Sequence, residues 1–306
     1  MLGFTDILIL TNDCTDHAPQ LLDCFARAGW ISHVTHQPKP GKPPKRSAHR
    51  TALAHPVVQN ADWMLLCDID EFLVIHEGDG TVPTFLDGLD RYCRCLAVHW
   101  RIFGTSGHDT WEDGLTHRRF TRAGPKPNPA EASFKTLVNR PRDFTRLAAH
   151  SPADFAGDWG TPPNVMLDTN GRVLPYFDPN KNPQRATAAN RISHGSAQLN
   201  HYITRSAEHF EAKRGTPCAS RNFDRYTDDF FATYNRNEED DLSALTYRDR
   251  FDAVHAAAMA LPGVARYHHL CCADHASWLC ERLGRDPAQD PRRAHHLAQA
   301  AALTAA

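Results

Sequence analysis

Residues 65–73, Leu-Leu-Cys-Asp-Ile-Asp-Glu-Phe-Leu, run an apolar stretch straight into three carboxylates, Asp68, Asp70 and Glu71. Asp68 and Asp70 stand two apart, so in extended backbone their side chains share a face. Carboxylates that close repel one another, and a divalent cation between them relieves the repulsion. Hard oxygen donors suit Mg²⁺ or Mn²⁺. An ordinary acidic turn after a strand is the plain alternative. The apolar run before the acids and Phe72-Leu73 after them favour a ligand-binding strand end, where parallel α/β sheets hold their ligands.

Other groups could join such a site. Asp13 and Asp16 follow an earlier apolar run in Thr-Asn-Asp-Cys-Thr-Asp. Asp16 reads as a helix cap and Asp13 as a contact to a ribose or base, although both types also simply make turns. Lys45, Arg46 and Arg50 form a small basic cluster, read as a solvated face before a phosphate contact because surface Lys and Arg are common. His201 offers an imidazole, a common metal ligand, against the larger share of histidines that are structural. Lys213 and Arg214 could neutralise a departing anion or lie on a solvated helix face, with nothing in the sequence to choose. Trp100, Trp111 and Trp159 could stack on a sugar, with a core role at least as natural for Trp100.

These residues need elements to place them. Residues 5–11 read as a buried strand, with four apolar residues, Ile7 to Leu10, in one run, expected either to lie at a sheet edge or to lack a preceding segment. A helix is expected from Ala18 to Ala28 with Gly29 as its stop, then a strand over 30–36. Four prolines between Gln37 and Lys45 forbid helix or strand there. Residues 47–60 read as helix, broken or kinked at Pro56, and 63–67 as an apolar strand. Strand-helix-strand-helix-strand is the rhythm of a parallel α/β sheet. Further on, 82–91 suggests a short helix, 95–103 a strand buried on one side, and 133–139 another strand. Residues 104–129 and 150–200 read as irregular. Helices are expected near 206–214, 220–234, 248–259 and 275–283, with an Ala-rich tail from 295 that frays.

Composition sets the outer limits. The 306 residues suggest one large α/β domain or two small ones, and 41% hydrophobic with 23% charged residues exclude a disordered chain. Thirty-four basic against 36 acidic residues rule out a bulk basic nucleic-acid binder. No run approaches the length of a membrane helix and no signal peptide is visible, while peripheral contact with a membrane stays open. Nine cysteines, an odd number without a Cys-x-x-Cys pair, point to reduced thiols in the cytoplasm.

Two enzyme classes place Asp-x-Asp after a strand. A dehalogenase-type phosphatase needs Thr or Val two residues beyond the second Asp, where this chain has Phe72; a metal-dependent phosphohydrolase is therefore the weaker alternative. The other class is the nucleotide-sugar glycosyltransferases. Residues 2–16 (LGFTDILILTNDCTD), 61–75 (ADWMLLCDIDEFLVI), 98–108 (VHWRIFGTSGH), 134–141 (FKTLVNRP) and 199–215 (LNHYITRSAEHFEAKRG) occur in that order. Together they resemble the bacterial glycosyltransferase family 2-like proteins related to family 92, over roughly residues 2–235. The resemblance implies a GT-A fold, a Rossmann-like nucleotide-sugar-binding sheet flanked by helices, over 1–235, with a helical C-terminal extension over 236–306. It implies transfer of a sugar from a nucleotide-diphosphate donor to a glycan or other hydroxyl acceptor, assisted by Mn²⁺ or Mg²⁺. It puts Asp68 and Asp70 in the metal-diphosphate motif, His201 as a completing ligand and Lys135 as a donor or acceptor contact. An inverting member also needs a base; Asp109, Glu112, Asp113 and Asp158 are the candidates, with Glu112 or Asp113 favoured by position. Relatives carry a strand with an Asn-Glu motif and a helix before LGF. That unit is missing here, which leaves a catalytically impaired nucleotide-sugar-binding protein as the alternative.

Overall fold

The computed structural model describes residues 1–41, 43–181, 184–217 and 223–303. In chain order the elements are β1 (Leu8–Thr11), α1 (Ala18–Arg27), β2 (Ser32–Thr35), α2 (Pro44–Ala54), α3 (Pro56–Gln59), β3 (Trp63–Leu65), β4 (Glu71–Ile75), α4 (Val82–Leu86) and β5 (Cys95–Ile102). Then come α5 (Thr116–Arg119), β6 (Arg122–Ala123), β7 (Phe134–Asn139), β8 (Phe144–Leu147), β9 (Pro152–Phe155), β10 (Met166–Asp168) and β11 (Ala197–His201). The chain ends in α6 (Ala207–Ala212), α7 (Asp228–Tyr234), β12 (Glu239–Asp240), α8 (Arg248–Met259), α9 (Val264–Arg282) and α10 (Pro291–Ala302).

Prolines and glycines set many of these bounds. Pro44 sits in the first turn of α2, and Pro56 ends that run and opens α3, with His55 Nδ1 accepting the Val57 amide at 3.3 Å. A proline's fixed φ suits a helix start and its missing N–H forbids a helix interior. Gly29, at φ +75°, stops α1 in the left-handed region. The helix expected over 220–234 begins outside the described residues and is observed as α7. The one expected at 275–283 is the end of the much longer α9.

The central sheet is mixed rather than parallel. Its order is β3-β7-β5-β11-β4, with β10 also on β5. Strands β10 and β11 run parallel to β5, whereas β5–β7, β3–β7 and β4–β11 are antiparallel. β3 and β4 occupy opposite edges although only residues 66–70 join them. Four interstrand steps of about 4.8 Å make roughly 19 Å in a flat sheet, nearly the full reach of that linker if extended. The linker instead contains a tight turn, and the sheet curls to bring its edges together. The architecture is thus mixed α/β around a curled sheet.

β5 is buried on both faces rather than one. Leu73, Ile75, Leu96, Val98, Leu137 and Leu199 fill one side. Cys95, Ala97, Phe134, Val138 and Met166 fill the other. Among the described residues β1 pairs with β2 alone, in parallel, as a separate two-stranded ribbon. It is therefore half-buried, and Ile7 before it is 49% exposed, not the core strand its sequence suggests. The stretch 150–200, read as irregular, contains β9, β10 and β11, strands of five residues or fewer. The C-terminal helices dock on the rest of the fold: Asp274 of α9 holds His17, and Arg282 donates to the Ala212 carbonyl at 2.9 Å. No helix among the described residues is long and apolar enough to cross a membrane.

Candidate functional site

The pairing register places one chemistry-bearing residue from each of four strands on one face. Glu71 on β4 lies opposite His201 on β11, Leu199 opposite Trp100 on β5, and Val98 opposite Lys135 on β7. Side chains alternate along a strand, so Glu71, His201, Trp100 and Lys135 share the face of the apolar cluster just described and form its polar end. Trp100 Nε1 donates to Glu71 Oε1 at 3.0 Å, and the Trp100 and His201 rings lie 4.3 Å apart.

Asp68 and Asp70 join this end through a turn, not through extended backbone. The Glu71 amide donates to the Asp68 carbonyl at 3.0 Å and the Asp68 amide to Glu71 Oε2 at 2.8 Å. Ile69, 85% exposed, is the tip. Asp70 is anchored by its carbonyl, which accepts from the Tyr202 amide at 2.9 Å.

The acids are unequal. Lys45 Nζ reaches Asp68 at 2.6 Å and Lys135 Nζ reaches it at 3.1 Å. Burial would push the Asp68 carboxyl up, but the two ammonium groups overcome it and hold it well below the usual carboxylate range. Lys135 is 1% exposed and also pairs with Glu71 at 3.1 Å. Burial alone would lower its pKa; Glu71 and Asp68 raise it, so it stays charged. Burial pushes Glu71 up to about 7 against Lys135, with Asp68 adding to the rise. The basic cluster read as a solvated face thus sends Lys45 into the site.

Asp70 is the available acid. The only partner of its carboxylate among the described residues is His201, whose Nε2 stands 3.8 Å from Asp70 Oδ1. His201 is 5% exposed, and burial lowers its pKa to about 4, so the ring is neutral at neutral pH. Its Nδ1 is buried without a hydrogen-bond partner among the described residues. Beyond it, Lys213 is lowered to about 8 by burial and by Arg205 and Arg225, with Asp70 opposing. Buried Nε atoms of Arg205 and Arg225 also lack hydrogen-bond partners among the described residues, and Arg205 has φ +53°, a conformation that costs energy unless its surroundings demand it.

The remaining expected residues lie elsewhere in the network of contacts. Arg214 turns from Lys213 to Glu211, Asp228 and the Tyr226 carbonyl. Asp13, at φ +49°, is exposed and accepts from Asn12 at 2.9 Å. Asp16 accepts from the Ala18 amide at 3.2 Å but is not the expected cap: His17 holds the N-cap position of α1, without a side-chain cap. Glu112 faces Arg119, and Asp113 accepts from His268 at 2.9 Å; neither shares a hydrogen bond or ion pair with the acidic turn. Asp158 is exposed, while Trp159 packs against Phe155 and Phe177. A cleft of about 430 Å³ lined by Glu77, Phe85, Leu167 and Asn170 opens past the far end of β4, away from Asp70.

Arg205 and Arg225 went unread in the sequence, since no local spacing links residue 225 to residue 70. The network on the opposite face was equally hidden. There Arg101, 1% exposed, pairs with Glu131 at 3.0 Å and with Asp241 at 2.9 Å. Its charge would have needed the β5 register to be placed inside.

The donors Asp70 Oδ1 and His201 Nε2 fit a hard divalent cation that takes its remaining ligands from a phosphate group and water. Asp68 is already neutralised by its two lysines. Among the described residues, the group of three whose donor atoms all lie within 4.8 Å of one another is a different one, Asp113, His268 and Cys272. Comparison with protein-family models finds none that matches the chain, and comparison with curated proteins finds no match either.

Proposed function

We propose that this chain is a metal-assisted glycosyltransferase that moves a sugar from a nucleotide-diphosphate donor to an acceptor hydroxyl. One observation carries the reading: a carboxylate and a neutral imidazole, Asp70 and His201, stand beside Lys213, Arg205 and Arg225, and each arginine has a buried Nε–H without a hydrogen-bond partner among the described residues. Such a site asks for a ligand that brings both negative charge and metal-binding oxygens, and a diphosphate brings both. Mn²⁺ or Mg²⁺ held by Asp70 and His201 would supply Lewis-acid stabilisation of the leaving diphosphate.

The protein's own groups do the rest. The two lysines on Asp68 and the Trp100 bond to Glu71 hold the turn so that Asp70 projects from a fixed backbone. Lys213, with a pKa of about 8, is mostly cationic at neutral pH. Arg205 and Arg225 are cationic throughout. Together they stabilise the charge that grows on the leaving oxygen as the bond from the anomeric carbon to the diphosphate breaks. The acceptor oxygen forms the new bond to that carbon and gives up its proton to water, while the nucleoside diphosphate leaves with the electron pair of the broken bond. The eight described cysteines are all free thiols, which suits a reducing compartment, and we place the reaction in the cytoplasm.

A thermal-shift screen of nucleotide-diphosphate sugars with and without Mn²⁺ tests this. At least one donor should raise the melting temperature only when Mn²⁺ is present, and Asp70→Ala should abolish that rise. A chain stabilised by no donor under either condition would overturn the reading. Metal-dependent donor binding without sugar transfer would instead identify a nucleotide-sugar-binding protein.

A further inference from the structure

Outside the acidic turn, a second cluster joins the loop after β5 to the C-terminal helices. Asp113 lies in that loop. His268 and Cys272 stand four apart on α9, one turn of helix, so both project from the same face. Asp113 Oδ2 is 2.9 Å from His268 Nε2, and Cys272 Sγ is 3.8 Å from the same nitrogen.

A carboxylate, an imidazole and a thiol together suggest either a nucleophilic relay or a metal site. The atoms decide. In a relay the histidine uses one ring nitrogen for the nucleophile and the other for the orienting carboxylate. Here both partners meet His268 Nε2, so no proton path runs from sulfur through the ring to the acid. Three donor atoms of these types within 4.8 Å of one another are spaced to surround a single cation. Ligands at about 2.0–2.3 Å around a tetrahedral ion lie roughly 3.3–3.8 Å from one another; the Cys272–His268 spacing of 3.8 Å falls in that range, and the 2.9 Å Asp113–His268 hydrogen bond opens by a few tenths of an ångström to admit the ion.

The donor types choose the ion. Thiolate and imidazole are too soft to favour Mg²⁺ or Mn²⁺, and with one carboxylate they suit Zn²⁺. We propose that Asp113, His268 and Cys272 bind Zn²⁺, at a site separate from the Asp70–His201 pair, and clamp the loop after β5 to α9. Three protein ligands leave a fourth position for water. Asp113 and His268 are partly exposed, with about a third of each side chain open to solvent, which gives the ion and that water a way in. On binding, Cys272 releases its thiol proton to solvent, His268 presents neutral Nε2 and Asp113 its carboxylate. Burial and the neighbouring Asp113 carboxylate raise the thiol's pKa, so Cys272 makes a poor free nucleophile, whereas a bound cation favours the thiolate.

The full chain, stripped with chelator and titrated with Co²⁺ as a spectroscopic stand-in for zinc, tests this. One equivalent should produce an intense thiolate-to-cobalt absorption band that Cys272→Ser and His268→Ala lose. Added Zn²⁺ should displace the Co²⁺ and raise the melting temperature of the wild type but not of those variants. Asp113→Asn, at a partly exposed position, should weaken Co²⁺ binding roughly tenfold or more, since loss of even a group that supports a ligand costs about that much. Asp70→Ala should keep the band, which separates this site from the proposed donor site. Absence of the band in the wild type, or its survival in folded Cys272→Ser, would overturn the proposal.

Discussion

Lys135 is the residue on which the acidic turn depends. Its ammonium lies 3.1 Å from both Asp68 and Glu71 and is 1% exposed. Removing one partner of a buried ion pair costs about 3–5 kcal/mol, because the other charge is left uncompensated. Lys135→Met should therefore destabilise the fold by about that amount, most of it through Glu71, since Asp68 is partly exposed and keeps Lys45. Adding Glu71→Gln should recover part of the loss. Urea unfolding of the two single variants and the double variant measures it, and strictly additive losses would show that Lys135 and Glu71 do not act as a unit. At this scale the sequence was readable where chemistry is local. Asp68 and Asp70 announce themselves by spacing and by the apolar run before them. Lys45 and Arg225 do not, because long-range pairing brings them in.

At the scale of elements, β11 and α6 form the wall that carries the cations. His201 ends β11, the chain turns through Arg205 at φ +53°, Ser206 caps α6 by accepting from the His209 amide at 3.2 Å, and Lys213 follows the last turn. A helix of six residues is marginal alone. This one is held by Glu208, which takes Arg292 at 2.7 Å, Arg285, and the Trp111 amide at 2.8 Å. If donor and Mn²⁺ seat against this wall, residues 199–215 should gain protection from hydrogen exchange when both are added, and His201→Ala should reduce transfer far more than stability. Unchanged exchange there with donor demonstrably bound would make the segment scaffold alone. Glu208→Gln removes the shared anion of the clamp and should speed exchange in α6 even without ligand. Elements bounded by strong local signals were legible: α1 with Gly29 at its end, the break at Pro56, and α8 over Arg248–Met259 as expected. Strand direction was not, because alternation of side chains is the same in parallel and antiparallel ladders. The length of α9 was also missed. Its polar and apolar residues follow no clean helical stripe, since it packs against α1, α6 and α10 on several sides.

Across the whole molecule, a set of buried neutral histidines should govern the response to acid. Burial lowers His49, His99, His150, His194, His201 and His275 each to about 4, against about 6.5 in an unfolded chain. Between those values the unfolded chain takes up protons that the folded one refuses. Their contribution to stability is therefore complete above pH 6.5 and is lost as pH falls toward 4, by up to about 1.4 kcal/mol per pH unit for each histidine. Glu71 and Glu131 act in the opposite sense. Their pKa values are raised by burial, that of Glu71 to about 7, so each favours the folded state more as pH falls through its raised value. Two such groups cannot offset six histidines. The fold should lose stability steeply between pH 6.5 and 4.5, well above the range in which its salt-bridged carboxylates protonate. Urea midpoints measured at half-unit steps would show this, and a single variant such as His99→Phe, on the face away from Asp70, should flatten the slope by about one proton's worth. A stability profile level from pH 7 to 5 would mean that these rings accept protons in place, and that the polar groups around them, not burial, decide their charge.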